Sequence, residues 1–161
     1  MTTTTGSVAR PITPEDLAAA RALLTADAAV AKYLKRAKEI VEDAVAGRNE
    51  HLALVTGNAR ELRGVVLFSQ VPGSEGAAAI SGVSVLEPRR RRGVASALVS
   101  AACARLNERG ARLVVAELAD DPVLEAAHGL LKKCGFVQSG RVANFYRKGT
   151  DMVILERRFN A

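Results

Sequence analysis

The residues best suited to chemistry lie in the stretch VSVLEPRRRRGVASALV, residues 83–99, where four consecutive arginines precede a glycine. The apolar run before the arginines predicts a strand, and the residues after Gly93 predict a helix. The first amides of a helix have no intrahelical partners, and the helix dipole places its positive end beside them. The basic loop therefore predicts an anion site, where Gly93 and Ala95 leave room for a diphosphate to touch the backbone.

The distribution of charge also favours an anionic partner at one place. The net charge is +6, yet residues 1–86 hold nine lysines and arginines against nine acidic residues. Residues 87–161 hold fourteen against eight, so the whole excess lies in the second half. A solvated basic patch and a nucleic-acid contact are the alternatives, but neither requires a strand, a glycine and a helix around the arginines. We therefore do not expect a nucleic-acid partner.

Length and composition predict one soluble domain. A chain of 161 residues, 48% of them hydrophobic, can bury a core of its own. No stretch approaches the roughly 20 apolar residues that cross a bilayer, and the first residues do not resemble a signal peptide. We therefore expect a cytoplasmic protein with no membrane partner. Cys103 and Cys134 lie far apart with no CxxC motif and no pair of histidines nearby, so we expect neither a metal site nor a disulfide.

The order of strand and helix patterns predicts a single α/β domain over residues 8–161, preceded by a flexible tail of residues 1–7. Strands are predicted at 8–12, 77–86, 111–118, 136–142 and 151–159, and as a hairpin over 51–71 with its turn at 57–60. Helices are predicted from Thr13 onward, over 27–46, from 93 to 110 and over 122–134. Gly82 stands where the strand over 77–86 would tolerate a bulge or a close backbone approach.

The six residues from Arg90 to Ala95 match the pattern Gln/Arg-x-x-Gly-x-Gly/Ala, and in this the sequence resembles the GNAT superfamily of N-acetyltransferases. LLKKCGF (130–136) is similar to the family's helix-to-strand junction, and NFYRKGTDMVILER (144–157) to its closing, tyrosine-bearing segment. The resemblance covers about residues 77–159, and residues 8–76 in element order only. It implies a GNAT-like domain with a mixed, mostly antiparallel sheet of six to seven strands, flanked by about four helices.

The resemblance implies acetyl-CoA as a co-substrate, with no metal. The amides of Arg91 to Ser96 would hold the coenzyme A pyrophosphate, and the arginine side chains would add positive charge. The strand before the loop would offer backbone groups to the pantetheine arm and the acyl carbonyl. The cofactor-binding residues implied in this way are Val83, Ser84, Val85, Arg90, Arg91, Arg92, Gly93, Val94, Ala95 and Ser96.

Attack of an amine on a thioester needs a base for the amine and an acid for the departing thiolate. Tyr146 is the acid candidate, because it matches the position from which many family members protonate the sulfur, and a phenol with a pKa of about 10 stays protonated at neutral pH. Its segment, NFYRKG, is predicted to be irregular. Glu117, in the apolar strand LVVAEL, is the base candidate. The alternatives are a packed aromatic for Tyr146, and for Glu117 a salt bridge, with an ordered water as the base.

The sequence favours a small-molecule amine as the acceptor, because the half of the chain that would form the acceptor site is balanced in charge. A peptide amino terminus, a lysine side chain and an aminoacyl-tRNA remain alternatives within the same chemistry. Two other classes of protein also remain: an acyl-CoA-binding regulator without catalysis and a nucleic-acid-binding module. A homodimer is compatible with the sequence.

Overall fold

A seven-stranded sheet with helices on both faces forms the protein in a computed structural model that describes residues 8–48, 50–86 and 93–159. In chain order the strands are β1 (Arg10–Pro11), β2 (His51–Asn58), β3 (Glu61–Gln70), β4 (Ala77–Val85), β5 (Leu113–Ala119), β6 (Val137–Arg147) and β7 (Thr150–Arg158). The α-helices are α1 (Leu17–Thr25), α2 (Ala28–Ala31), α3 (Ala37–Val45), α4 (Val94–Glu108) and α5 (Glu125–Lys133). Short 3-10 turns at Pro14–Asp16 and Pro122–Leu124 precede α1 and α5.

The strands lie in the order β1-β2-β3-β4-β5-β7-β6, so β6 forms one edge of the sheet. Among the described strands, β4 and β5 pair in parallel and the other neighbours pair antiparallel. This is the mixed, mostly antiparallel sheet that the sequence led us to expect. The parallel pair has to be connected by a crossover, and α4 supplies it.

Each face of the sheet buries its own apolar cluster. The first lies under α4 and α5, and Phe68, Leu98 and Phe136 are among its members. The second lies under α1 and α3 and includes Ile40 and Leu67. Strand β3 serves both clusters, which is why its central residues form a continuous apolar run without alternation.

One predicted helix is wrong. The periodicity over residues 27–46 predicted a single helix, but the structure divides it into α2 and α3 with turns between them. Tyr33 lies in this connection, and its hydroxyl group bonds to residues 88 and 114 positions away. The local pattern of apolar residues carries no information about contacts with residues so distant in the chain. A prediction from that pattern therefore places one continuous helix where the structure has a break.

The segment NFYRKG, residues 144–149, is irregular as predicted, although its first four residues belong to strand β6 and only Lys148 and Gly149 form the turn to β7. The strand does lose its register with β7 between Val142 and Arg147, where Asn144 has a φ of 54°. Asp151 Oδ1 accepts a hydrogen bond from the Asn144 amide (2.9 Å), and Asn144 Oδ1 accepts one from the Gly149 amide (2.8 Å). These bonds hold a bulge in β6 immediately before Tyr146.

The remaining strands agree closely with the prediction, including the hairpin of β2 and β3. In β4, Gly82 lies opposite Leu67 and Ile80 lies opposite Phe68, so the pairing skips one residue beside the glycine. The irregularity expected at Gly82 is therefore confirmed. The predicted tail, residues 1–7, lies outside the described residues.

Candidate active site

A cleft opens in the sheet where β4 and β5 separate. The two strands pair only at Ala77, Ala78 and Ala79, which lie opposite Leu113, Val114 and Val115. Beyond these pairs β4 remains bonded to β3, and β5 remains bonded to β7. The backbone of Ile80–Val85 therefore faces that of Ala116–Ala119 across a gap, and both segments line the cleft. An extended ligand with amide groups could hydrogen-bond to such strand edges.

The amino-terminal end of α4 faces the same cleft. Gly93 caps the helix with a φ of 77° and a ψ of 7°, a left-handed conformation that glycine adopts without strain. A Cβ atom built on Gly93 would meet no other atom within 4 Å. Gly93, Val94, Ala95 and Ser96 all line the cleft. Arg90, Arg91 and Arg92, together with the rest of 87–92, lie outside the described residues, so their assignment stays a prediction.

The side chain of Ser84 is engaged outside the cleft, so the prediction for Ser84 concerns its backbone groups. Its Oγ donates a hydrogen bond to the Leu23 carbonyl oxygen at 2.7 Å, which ties β4 to α1. The neighbouring side chains of Val83 and Val85 point away from that side, and Val83 packs on the cluster beneath α4. All three residues line the cleft.

The cleft has a volume of about 630 Å³ and is lined by most of the residues that the sequence singled out. Those residues come from β4, the start of α4, β5 and β6, and they are Val83, Ser84, Val85, Gly93, Val94, Ala95, Ser96, Glu117 and Tyr146. The fold thus brings together every described residue of the predicted site. Their roles in binding and catalysis stay predictions.

Tyr146 lies at the rim of the cleft, with 37% of its surface exposed. Its ring packs edge-to-face against Phe145 and against Tyr33, with centroids 5.0 Å and 5.3 Å away. Partial burial of the phenol raises its pKa above 10, and the negative charge of Glu117 raises the pKa further. Tyr146 therefore keeps its proton over the whole neutral range, as a proton donor must.

Glu117 projects from β5 on the side opposite the apolar cluster that lies under α4 and α5. Val114 and Ala116 are buried, whereas Leu113 and Val115 are only half-buried and Glu117 is exposed. This alternation places Glu117 on the same side of β5 as Leu113 and Val115. Because the carboxylate lines the cleft, it keeps contact with water and needs no buried partner.

Three residues that are not among the predicted catalytic and cofactor-binding residues are connected by hydrogen bonds at one end of the cleft. Tyr33 Oη donates to Asp121 Oδ2 at 2.5 Å and accepts a bond from Arg147 Nη1 at 2.9 Å. Arg147 Nη2 also donates to Asp121 Oδ2 at 2.9 Å. These bonds hold the pKa of the buried Asp121 carboxyl far below its usual range. Asp121 could have been identified in part, since an Asp before Pro122 is a typical helix cap.

A family model described as "Acetyltransferase (GNAT) family" matches residues 18–136. The chain belongs to the GNAT family of acetyltransferases. The resemblance noted in the sequence is thereby confirmed, and as a member of this family the protein is an acetyl-CoA-dependent N-acetyltransferase. A search of curated protein sequences found no significant match.

Solved structures agree with the GNAT fold. A protein from Desulfovibrio desulfuricans assigned to the GNAT family has a TM-score of 0.81 and 19% identity, covering 94% of this chain and 98% of that one. An acetyltransferase from Bacillus subtilis in complex with CoA has a TM-score of 0.74 and 17% identity, covering 96% and 99%. A ribosomal-protein-alanine N-acetyltransferase from Brucella melitensis has a TM-score of 0.76 and 17% identity, covering 94% and 99%.

Within residues 8–48, 50–86 and 93–159, no group of three or more histidine, cysteine, aspartate or glutamate side chains is placed to hold a metal ion. In the same part of the chain, no helix has the length and apolar character needed to span a membrane.

Proposed function

We propose that this GNAT enzyme transfers the acetyl group of acetyl-CoA to a primary amine of a small molecule by direct attack. The observation that carries the proposal is the shared cleft, which joins the diverging edges of β4 and β5 and the start of α4 to Glu117 and Tyr146. Acetyl-CoA supplies an activated acyl group, and the B. subtilis structure contains CoA in the same fold.

The assigned binding residues suit the two parts of the cofactor. The first amides of α4, at Val94, Ala95 and Ser96, would bind the pyrophosphate, because they lack intrahelical acceptors and lie at the positive end of a 15-residue helix. Arg90, Arg91 and Arg92 would add charge from the loop before it. The separated edge of β4, at Val83, Ser84 and Val85, would bind the pantetheine arm in the manner of an added strand.

Glu117 and Tyr146 are assigned complementary proton transfers. Glu117 would accept a proton from the attacking amine, so that nitrogen can form its bond to the carbonyl carbon. Tyr146 would donate its proton to the sulfur as the carbon–sulfur bond breaks. The raised pKa of Tyr146 supports the second role, because the phenol enters the reaction protonated.

The charge of the cleft supports a cationic amine as the acceptor. Asp27 lines the cleft together with Glu117, so acidic groups face an acceptor that is protonated in bulk water. The bonds between Tyr33, Asp121 and Arg147 join the α2 side of the cleft to the β5 and β6 side.

Two measurements test the proposed acceptor. Isothermal titration with acetyl-CoA should give saturable binding, and a thiol-release assay should then give turnover with small primary amines. Peptides with free amino termini, lysine peptides and aminoacyl-tRNA are the other arms of the screen. Turnover confined to any of these three would contradict the small-molecule acceptor, and binding without turnover on any amine would indicate a regulator.

The acid is tested by Tyr146→Phe. We expect kcat to fall by roughly 10²-fold, the usual contribution of a positioned acid, while the affinity for acetyl-CoA changes little because the ring remains. The loss should shrink with an acyl donor whose thiol is more acidic, since that leaving group needs less protonation. Turnover at the parent rate with both donors would remove Tyr146 from the mechanism.

A further inference from the structure

We propose that Tyr33 is a positioning residue for Tyr146, held in place by Asp121 and Arg147, and that this network sets the alignment of the proton donor. The inference rests on the proposed role of Tyr146. It goes beyond that role, because the proposed function assigns Tyr33, Asp121 and Arg147 no contact with acetyl-CoA or the amine.

Asp121 is the fixed point of the network. It follows the end of β5 by two residues, and its Oδ1 accepts a hydrogen bond from the Val123 amide at 3.1 Å. Its carboxylate is buried, with 7% of the side chain exposed. The other oxygen, Oδ2, accepts hydrogen bonds from both Tyr33 and Arg147. The carboxylate is thus held by the backbone on one side and by two side chains on the other.

The hydroxyl group of Tyr33 is held by hydrogen bonds to both Asp121 and Arg147. Its hydroxyl group donates to Asp121 and accepts from Arg147, so rotation of the phenol would break both bonds. The residue lies between α2 and α3, in a connection held by short backbone turns. Three segments far apart in the chain therefore meet at one hydroxyl group, and the ring of Tyr33 is held at the cleft.

Tyr146 depends on that ring for its own position. It lies on the edge strand β6 after a bulge, and among the described residues no side chain hydrogen-bonds to its hydroxyl group. The edge-to-face contact with Tyr33 comes from the opposite side of the cleft, whereas Phe145 is its own neighbour in sequence. Arg147 follows Tyr146 directly and joins the network, which fixes the backbone on the other side.

Tyr33→Phe is the informative variant, because it removes the two hydroxyl bonds and keeps the ring. Asp121 retains its bond to Arg147, so no buried charge is left without a partner and the variant should fold. We expect kcat to fall about tenfold, since a small misplacement of a reacting group is costly, with the KM for acetyl-CoA unchanged. As with Tyr146→Phe, the loss should shrink with a more acidic leaving thiol.

The double variant Tyr33→Phe/Tyr146→Phe separates positioning from an independent effect. If Tyr33 acts through Tyr146, the double variant should be no slower than Tyr146→Phe alone. Losses that multiply would overturn the inference and leave the acid assignment standing. A higher KM for the amine with unchanged kcat would also overturn it, because Tyr33 would then be a wall of the acceptor site.

A second readout does not depend on activity. The chain contains two tyrosines, so uniform labelling with 3-fluorotyrosine gives two ¹⁹F resonances. In Tyr33→Phe the remaining resonance belongs to Tyr146, and we expect it to shift from its parent position. Arg147→Gln, at a half-exposed site, should move it in the same direction and slow turnover less. A Tyr146 resonance that stays in place in both variants would overturn the inference whatever Tyr146 does in catalysis.

Lys32→Gln is the matched control. The Lys32 ammonium lies 5.0 Å from the centroid of the Tyr33 ring but takes no part in the bonds to Asp121 and Arg147. This variant should keep the parent kcat, the parent dependence on the leaving thiol and the parent Tyr146 resonance.

Discussion

Glu117 and Tyr146 both line the cleft, and the negative charge of Glu117 raises the pKa of Tyr146. In Glu117→Gln the rate should fall mostly at low pH, where the amine must be deprotonated by the enzyme, and recover in part as the amine deprotonates in bulk. The alkaline limb should move to lower pH at the same time. Removing the negative charge lowers the pKa of Tyr146, although burial still holds that pKa above 10.

A pH–rate profile of kcat/KM tests the changes expected for Glu117→Gln in both the acidic and the alkaline limb. Glu108→Gln is the matched control, since it also removes one negative charge but lies at the end of α4 away from the cleft. It should reproduce the parent profile. If Glu117→Gln also reproduces it, the carboxylate has no part in proton transfer, and an ordered water becomes the base.

At the scale of elements, Gly93 caps α4 in a left-handed conformation, at the amino-terminal end that lines the cleft. Gly93→Val should weaken acetyl-CoA binding at least tenfold, about 1.4 kcal/mol, because a side chain there crowds a group approaching the helix amides. It should also lower the melting temperature, because a β-branched residue at a φ of 77° is strained.

Gly47→Val separates these two effects of Gly93→Val. Gly47 has a φ of 78°, and a Cβ atom there would likewise meet nothing within 4 Å, but it does not line the cleft. Both variants should lose similar thermal stability, and only Gly93→Val should lose affinity in titration calorimetry. Equal affinities for acetyl-CoA in the two folded variants would remove the start of α4 from the binding site.

At the scale of the whole molecule, an ion pair with a buried carboxylate connects the amino-terminal segment to the sheet. Asp16 is fully buried and accepts two hydrogen bonds from the Arg10 guanidinium, at 2.7 Å and 2.8 Å. It also accepts bonds from the Thr13 amide and hydroxyl group, while Arg10 donates to the Gly57 carbonyl oxygen in β2. The bond from Arg10, followed by those from Thr13, lowers the pKa of Asp16 to about 2.

This pair predicts a defined loss of stability in acid. Because the folded pKa of Asp16 lies below its unfolded value of 3.8, its contribution is complete above about pH 4 and disappears as the pH falls through 2. A shift of this size corresponds to about 2 kcal/mol. Asp16→Asn should therefore lower the free energy of unfolding in urea at pH 7, with a difference from the parent that narrows below pH 4.

Glu39→Gln is the control for the acid prediction, because it removes a carboxylate from an exposed pair with Arg36. Exposed ion pairs contribute little to stability, so this variant should have the same free energy of unfolding as the parent at every pH. A constant difference between Asp16→Asn and the parent from pH 7 to pH 2 would show that packing, and not ionisation, causes the loss.

Most of the secondary structure, and the strand, glycine and helix around the predicted anion site, could be predicted from the sequence, because both depend on residues close together in the chain. Turn residues and alternation locate the hairpin of β2 and β3, and the apolar strand, Gly93 and the helix after it define the approach to the loop. Glu117 was predicted to be a site residue by similar reasoning, because it is a charged residue in an apolar strand.

The arrangement of the site was decided only by the tertiary structure. The separation of β4 from β5 after three residue pairs creates the cleft, and no pattern within either strand indicates where pairing ends. The bulge in β6 depends on Asp151, across the hairpin from Asn144. The break between α2 and α3 accompanies contacts of Tyr33 with Asp121 and Arg147, 88 and 114 residues away. Local patterns reflect the environment of neighbouring residues, whereas these contacts exist only once the chain has folded and brought distant segments together.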